Sequence, residues 1–167
     1  MKQKKVYLMV GIPGSGKSTW IKSQLEKTGG AWISRDEVRF SMVKENEEYF
    51  SKENDVFAQW IKNINIAIKD ESIENIYVDA THISEASRNK TLLRLNLSNA
   101  DVVPVVMATP LDLCIERNAQ RSGRSCVPVS VIENMYKSFC SYPVHKDLAW
   151  KYKEILYIIE REVKNNG

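Results

Sequence analysis

The stretch GIPGSGKSTW, residues 11–20, constrains the fold of this chain more than any other feature. Gly11, Gly16, Lys17 and Ser18 satisfy the spacing G-x-x-x-x-G-K-S/T, which a random chain of this length would contain about one time in a hundred. An apolar run precedes the stretch, and a segment with helical spacing follows it. A strand, a glycine-rich turn and a helix in this order predict a loop whose backbone N–H groups surround a phosphate chain.

The chemistry of phosphate binding assigns roles to the residues of this loop. Glycines allow the tight turn and leave room for the phosphates, which a Cβ atom would block. Lys17 is predicted to span the β and γ phosphates and to act in catalysis, and the Ser18 hydroxyl is predicted to ligate Mg²⁺. The predicted nucleotide-binding residues of the loop are Gly14, Ser15, Gly16, Lys17, Ser18 and Thr19.

The nucleotide is predicted to be ATP rather than GTP. Proteins that read guanine usually carry the motifs N-K-x-D and D-x-x-G. This chain has neither, because the pair Asn89-Lys90 lacks the aspartate and no aspartate is followed by glycine three positions later. ATP and Mg²⁺ are therefore the expected cofactors.

Short apolar runs alternate with longer segments of helical period, a pattern typical of a parallel sheet covered by helices on both faces. The predicted strands cover residues 5–10, 31–34, 75–80, 101–108 and 154–159. Pro104 lies within the fourth of these and predicts a bulge or a late start of the ladder. The expected architecture is an α/β P-loop NTPase fold with a five-stranded parallel sheet, in a single domain over residues 1–167.

Helices are predicted from apolar spacing and from capping residues. The helix between the second and third strands carries an apolar stripe predicted to face the core, made of Val56, Phe57, Trp60, Ile61, Ile64, Ala67 and Ile68. Ser84 is expected to cap the helix after the third strand, and Pro110 to lie near the start of the helix after the fourth. Another amphipathic helix is predicted after Pro128.

Composition excludes several classes of protein. A net charge of +3 is too small to indicate nucleic-acid binding by itself. The cysteines Cys114, Cys126 and Cys140 are too few and too widely spaced for a zinc ribbon or a disulfide framework, which favours a reducing compartment. The longest apolar runs fall short of the roughly 20 residues of a membrane span, so a cytoplasmic protein without a membrane partner is expected.

Acidic residues follow two of the predicted strands, at the sheet edge where open α/β folds bind ligands. Asp36 is placed to accept the proton of an attacking hydroxyl, and Arg39 to hold an anionic group of the substrate. A capping aspartate and a surface arginine explain the same spacing equally well. Asp79 is predicted to hold a water of the Mg²⁺ shell or to touch substrate, with a structural cap as the alternative.

The basic segment ERNAQRSGRS is the remaining candidate element of the site. Arg117 and Arg121 are four residues apart at the end of a predicted helix, so both are expected to point toward one phosphate chain. Arginines brought over a nucleotide by a mobile segment stabilise the charge of the transition state, which makes Arg121 a catalytic candidate. Gly123 adds flexibility, and the segment is interpreted as a lid, with a solvated loop as the alternative.

The motifs GIPGSGKSTW, SRDEVR, VDATH, ERNAQRSGRSCVP and NMYKSF, in this order, resemble the P-loop polynucleotide 5′-hydroxyl kinases. The resemblance is closest to the kinase half of the enzyme of T-even bacteriophages, and it runs from about Lys5 to Pro143. It implies a fold similar to adenylate kinase, with the lid at about residues 117–128.

The resemblance also implies roles for individual residues. Asp36 would be the general base on the 5′-OH of RNA or DNA, and Arg39 would contact the nearest phosphate of that substrate. Arg117 and Arg121 would be the lid arginines that bind ATP, while Val127 and Pro128 would wall the acceptor tunnel.

Three features depart from that family. His82 stands where the family often has asparagine, and the stretch between Arg121 and Val127 is one residue longer than in the phage enzyme. The phosphatase motif Asp-x-Asp-Gly-Thr is absent from the sequence, so one kinase domain is expected, with any ligase or phosphatase partner on a separate chain.

Three functions remain for comparison with the structure. The first is transfer of the γ phosphate of ATP to a polynucleotide 5′-OH. The second is a small-metabolite kinase, because D-x-x-R after the second strand also resembles the acceptor motifs of sulfate-activating and shikimate kinases. The third is an ATP-dependent binding module, for which an acid and two arginines around a γ phosphate would have no use.

Overall fold

The computed structural model describes residues 3–160 and contains, within that range, five strands and six α-helices. The strands are β1 (Lys4–Val10), β2 (Ala31–Ser34), β3 (Asn75–Asp79), β4 (Ala100–Ala108) and β5 (Leu156–Ile159). The helices are α1 (Lys17–Thr28), α2 (Arg35–Met42), α3 (Glu53–Lys69), α4 (Glu85–Leu92), α5 (Leu111–Ala119) and α6 (Val129–Ser141).

The strands form one parallel sheet in the order β2-β3-β1-β4-β5, which confirms the predicted sheet. β1 lies at its centre, with Leu8 opposite Val78 of β3 and Pro104 of β4. Because the strands are parallel, the loops that follow β1, β2, β3 and β4 emerge at a single edge. The phosphate loop and the segments carrying Asp36 and Asp79 meet there.

Of the two outcomes predicted at Pro104, the structure has no bulge but does have a late start of one ladder. β4 keeps a continuous register with β1 on both sides of this residue, from Lys4 opposite Ala100 to Val10 opposite Val106. On the other side, pairing with β5 begins only at Val105, so the ladder starts late on that side alone. Proline has no backbone N–H group. The strand tolerates this because Pro104 precedes the first residue that pairs with β5.

The predicted stripe of α3 is buried and packs on one face of the sheet. Trp60 is fully buried at its centre and donates a hydrogen bond from Nε1 to the Ile33 carbonyl at 3.0 Å. The opposite face is covered by α1, where Trp20 packs edge-on against the stacked rings of Tyr7 and Tyr77. α3 thus fixes the end of β2, from which α2 and Asp36 continue.

The helix boundaries follow the predicted caps with one exception. Ser84 caps α4 by accepting a hydrogen bond from the Ser87 amide at 3.1 Å, Pro110 precedes α5, and Pro128 precedes α6. The exception is Arg121, which was expected within a helix although α5 ends at Ala119. Within residues 3–160, no helix has the length and apolar character needed to span a membrane.

Candidate active site

The phosphate loop between β1 and α1 requires its glycines for two reasons. Gly14 and Gly16 have φ angles of 80° and 97°, in the left-handed region that side chains disfavour. A Cβ atom on Gly14 would also lie 2.5 Å from the Cys114 carbonyl oxygen. Thr109, after β4, donates a hydrogen bond to the Ser15 carbonyl at 2.7 Å and so anchors the loop to the sheet.

Lys17 is the first residue of α1 and folds back over the loop. Its Nζ donates hydrogen bonds to the carbonyl oxygens of Gly11 at 3.0 Å and Ile12 at 3.2 Å. Burial lowers the pKa of Lys17, while the nearby carboxylates of Asp79 and Asp36 act in the opposite direction. These carbonyl oxygens are neutral hydrogen-bond partners, and a phosphate chain would offer the Lys17 ammonium an anionic one.

Asp36 lies in the first turn of α2, which Ser34 caps by accepting a hydrogen bond from the Glu37 amide at 3.3 Å. Its side chain is 66% exposed and faces the cavity. Arg39, one turn later, donates to Asp36 Oδ1 through Nη1, so the two residues share one face of the helix. The structure therefore brings this predicted pair into contact, with Arg39 almost fully buried.

Glu53 and Tyr49 complete this pair, and sequence reasoning missed both. Glu53, the first residue of α3, accepts hydrogen bonds from Arg39 at Oε1 and Oε2, at 2.5 and 3.0 Å. These bonds raise the pKa of Arg39, although burial alone would lower it. The Tyr49 hydroxyl lies 3.2 Å from Asp36 Oδ1 and 3.3 Å from Arg39 Nη1. No motif or helical spacing links Glu53 or Tyr49 to Arg39 in the sequence.

Asp79 ends β3 and is 8% exposed. Trp32 of β2 donates from Nε1 to Asp79 Oδ2 at 2.9 Å. Burial raises the pKa of Asp79, and the charge of Lys17 and the Trp32 hydrogen bond counter this only in part. A cation near the loop would favour the ionised carboxylate.

The residues at this edge fit a Mg²⁺ ion bound together with a nucleotide. Among residues 3–160 there is no group of three or more His, Cys, Asp or Glu that could hold a metal by itself. Mg²⁺ in kinase sites is usually held by one or two protein oxygens together with substrate phosphates and water. Ser18, Asp36 and Asp79 line one cavity and provide suitable oxygens.

The predicted lid arginines enter the same cavity from α5 and the segment after it. Arg117 donates from Nη1 to the Gly14 carbonyl at 3.3 Å and pairs through Nη2 with Glu160, which follows β5. Glu160 is a third residue that sequence reasoning missed. Arg121 lies beyond the helix, in an exposed turn whose amide donates to the Asn118 carbonyl at 3.0 Å.

The segment between α5 and α6 crosses the cavity and is fastened at two points. At its base, the buried Asn118 side chain donates to the Val127 carbonyl at 2.6 Å and accepts from the Val127 amide at 2.9 Å. At its tip, Arg124 donates from Nη1 to the Val43 carbonyl at 2.5 Å, across the cavity beyond α2. Gly123, with a φ of 61°, provides the turn between these points.

All the predicted site residues line one cavity of about 990 Å³. They are Gly14, Ser15, Gly16, Lys17, Ser18, Thr19, Asp36, Arg39, Asp79, Arg117, Arg121, Val127 and Pro128. Cavities of this size take a drug-sized ligand or larger. The same walls include the residues that sequence reasoning missed, together with the aromatic rings of Phe40 and Phe50.

His82 lies outside this cavity, in the core beneath the sheet edge. Its Nδ1 donates to the Met9 carbonyl at 2.8 Å, its Nε2 lies 3.0 Å from the Thr91 hydroxyl, and its ring is 5.7 Å from that of Trp60. Burial lowers the pKa of His82 to about 4. This histidine therefore has a structural role. Its backbone φ is 45°, in the left-handed region.

A protein-family model described as an AAA domain matches residues 6–141. This chain belongs to the AAA domain family. The match extends from β1 to the last residue of α6, so it includes the phosphate loop, the pair on α2 and the arginine-bearing segment.

Three solved structures resemble this AAA-domain chain. "Structure of the Pnkp1/Rnl/Hen1 RNA repair complex" matches with a TM-score of 0.72 and 21% identity, over 84% of this chain and 45% of that chain. A fungal RNA kinase has a TM-score of 0.69 and 10% identity, over 100% of this chain and 79% of that chain. A gluconokinase from Sinorhizobium meliloti 1021 has a TM-score of 0.58 and 16% identity, over 96% and 86%.

These likenesses concern the fold, since the identities are low. The AAA-domain chain has a P-loop kinase fold, with a five-stranded parallel sheet and flanking helices, and this fold implies a nucleotide at the phosphate loop. The chain spans less than half the length of the repair-complex chain that it matches. The resemblance to the bacteriophage enzyme in particular stays a prediction.

Proposed function

We propose that this chain is an ATP-dependent polynucleotide 5′-hydroxyl kinase, which transfers the γ phosphate of ATP to the 5′-OH end of RNA or DNA. The observation that supports this most is the shared cavity. It has the phosphate loop on one side and the Asp36–Arg39 pair on another, with Arg117 of α5 and two arginines of the segment after α5 across it. A nucleotide and a hydroxyl acceptor would meet between these walls.

In the proposed mechanism, Asp36 accepts the proton of the 5′-OH as its oxygen attacks the γ phosphorus. The bond from that phosphorus to the β–γ bridging oxygen breaks as the new P–O bond forms, and ADP leaves with the bond's electron pair. Lys17 leaves the Gly11 and Ile12 carbonyls to neutralise the phosphates. Arg121 stabilises charge on the transferred group.

Mg²⁺ would supply a second source of charge neutralisation on the β and γ phosphates. Ser18 would hold the ion directly, and Asp79 would hold one of its waters. The raised pKa of Asp79 is in line with such a role, since its carboxyl lies in a buried position that favours a cationic neighbour.

Two acceptors are compared, a polynucleotide 5′-OH and a small metabolite. Two of the similar structures are an RNA repair complex and an RNA kinase, and the arginines and aromatic rings beside Asp36 suit a charged chain with bases. The gluconokinase likeness supports the alternative of a small hydroxylated metabolite. We propose that this sequence comprises one kinase domain, with a lid at about residues 117–128.

The test is a transfer assay with γ-labelled ATP, Mg²⁺ and a short single-stranded oligonucleotide bearing a 5′-OH. The control is the same oligonucleotide with a 5′ phosphate, and parallel reactions contain gluconate or shikimate. Label on the 5′-OH strand alone supports the proposal. Label on a metabolite alone, with ATP bound, overturns it in favour of a small-molecule kinase.

A further inference from the structure

Three aromatic side chains form a wall of the cavity beside Asp36. Phe40 belongs to α2, while Tyr49 and Phe50 lie in the segment between α2 and α3. The ring centroids of Phe40 and Tyr49 are 6.1 Å apart, and those of Tyr49 and Phe50 are 4.7 Å apart with their planes at 88°. We call these three residues the aromatic wall.

The aromatic wall is joined directly to the proposed catalytic pair. The Tyr49 hydroxyl contacts Asp36 Oδ1 at 3.2 Å. The Arg39 guanidinium lies 4.8 Å from the Tyr49 ring centroid and 5.4 Å from that of Phe50. Cations at this distance from aromatic faces stabilise the arrangement, so the rings are held in place relative to Asp36.

The wall is also joined to the lid. The Arg124 guanidinium lies 4.7 Å from the Phe40 ring centroid, and the same side chain donates its hydrogen bond to the Val43 carbonyl. The segment that carries Arg121 therefore rests on the aromatic wall when it crosses the cavity. An occupant of the wall would lie between the acceptor residues and the lid.

Phe50 is the most exposed of the three rings, at 60%, and it lines the cavity. Phe50 differs from a singly exposed surface residue because it lines a cavity together with other aromatic rings and arginines, and an apolar patch of this kind marks a ligand site. A flat, polarizable group attached to an anionic chain fits this combination. The flat group stacks on the ring, and the negative charge of the chain attracts the guanidinium groups.

Resting on the function proposed above, we infer that the aromatic wall stacks the first nucleobase of an unpaired 5′ end, with Phe50 as the contacting ring. That base shares a ribose with the hydroxyl at Asp36, and Tyr49 contacts both Asp36 and Phe50. Every base offers a stacking face, so the site should accept any base at the 5′ end. A paired end must first unstack its terminal base, so it is a poorer acceptor than a single strand.

The test compares two oligonucleotides with a 5′-OH, one complete and one whose first residue is abasic. For the wild-type chain we expect kcat/KM to be about tenfold higher on the complete strand. Phe50→Ala should remove most of that difference and Phe50→Trp should restore it. Tyr142→Ala is the matched control, because Tyr142 is 53% exposed and lies outside the cavity.

A second readout does not require turnover. An oligonucleotide with 2-aminopurine as its first base should lose fluorescence on binding, as the base stacks, and Phe50→Ala should prevent the loss. Transfer without such quenching, or an equal loss on both strands in Phe50→Ala, overturns the stacking site and leaves the kinase proposal intact. Quenching that depends on Phe50, without transfer, supports the stacking site and overturns the kinase proposal. Neither transfer nor quenching overturns both.

Discussion

Glu53 holds Arg39 by two hydrogen bonds, from Nε to Oε1 at 2.5 Å and from Nη2 to Oε2 at 3.0 Å. This carboxylate fixes the guanidinium plane, and the same guanidinium contacts Asp36 through Nη1. Glu53 thereby positions both members of the proposed acceptor pair from another helix. Its effect on activity should exceed its effect on stability, because it is 28% exposed at the side chain.

Glu53→Gln should lower kcat for phosphate transfer by about 10- to 100-fold, since the neutral amide holds the guanidinium less firmly. The free energy of unfolding should fall by less than about 1 kcal/mol, because the amide oxygen still accepts one hydrogen bond and the pair is partly exposed. Steady-state kinetics and urea unfolding measure the two effects. Glu47→Gln is the control, because Glu47 pairs with Lys52 at 3.1 Å outside the cavity. An unchanged kcat would contradict the positioning role.

Asp36→Asn should reduce transfer by about 10²- to 10⁴-fold, because the amide accepts no proton from the attacking hydroxyl. Nucleotide affinity should change by less than about twofold, since the side chain is 66% exposed and its hydrogen bonds are to Arg39 and Tyr49, not to the phosphate loop. Calorimetric titration with ATP checks the second point. Glu37→Gln removes a neighbouring carboxylate of the same cavity and should leave kcat within about threefold. Equal losses in the two variants would argue against a general base at Asp36.

The parts of the site that lie within short motifs could be predicted from the sequence. Lys17 and Ser18 follow from the glycine spacing, and Asp36 faces the same way as Arg39 because residues three apart share a helix face. Parallel strands then bring Asp79 to the same edge. Each of these relations depends on local geometry or on the direction of a strand.

Contacts made only by tertiary folding were not predictable in this way. Glu53 follows Arg39 by 14 positions, and no periodicity relates an α2 side chain to the first turn of α3. Glu160 meets Arg117 only because β5 pairs beside β4. The four-residue spacing predicts Arg121 within a helix, yet α5 ends two residues earlier, at a boundary that no glycine or proline marks.

Arg121→Ala should lower kcat by about 10- to 100-fold while changing the Kd for ATP by less than about threefold. A lid arginine that acts on the γ phosphate gains most of its interaction in the transition state. Single-turnover rates and equilibrium ATP binding separate the two effects. Arg94→Ala removes the same charge outside the cavity and should change neither. Parallel losses in rate and in binding would assign Arg121 to ground-state nucleotide binding instead.

Glu160→Gln should tighten ATP binding by about threefold. The Glu160 carboxylate pairs with Arg117, and a Cβ atom added to Gly16 would lie 2.7 Å from Glu160 Oε1. The carboxylate therefore places negative charge beside the phosphate loop. The gain is small because both side chains of the pair are about one-third exposed. Calorimetry with ATP at low and high salt measures it, and Glu154→Gln is the charge-matched control outside the cavity. Weaker binding in Glu160→Gln would show that this carboxylate contacts the nucleotide.

The buried His82 predicts a specific dependence of stability on pH. Its pKa is lowered from 6.5 to about 4 by burial, so between these values the unfolded chain binds a proton that the folded chain excludes. Stability from this group is therefore fully present above about pH 6.5 and is lost as the pH falls toward 4. Between pH 7 and pH 5 the loss should be about 2 kcal/mol.

His82→Asn isolates this effect. Asparagine tolerates a φ of 45°, and its amide can donate to the Met9 carbonyl, but it does not titrate. Urea unfolding of both proteins at pH 7 and pH 5 should show a wild-type loss that exceeds the variant's loss by about 2 kcal/mol, since the carboxylates contribute equally to both. Transfer activity at pH 7 should persist, because His82 lies outside the cavity. Parallel pH profiles in the two proteins would mean that His82 is protonated in the folded chain at pH 5.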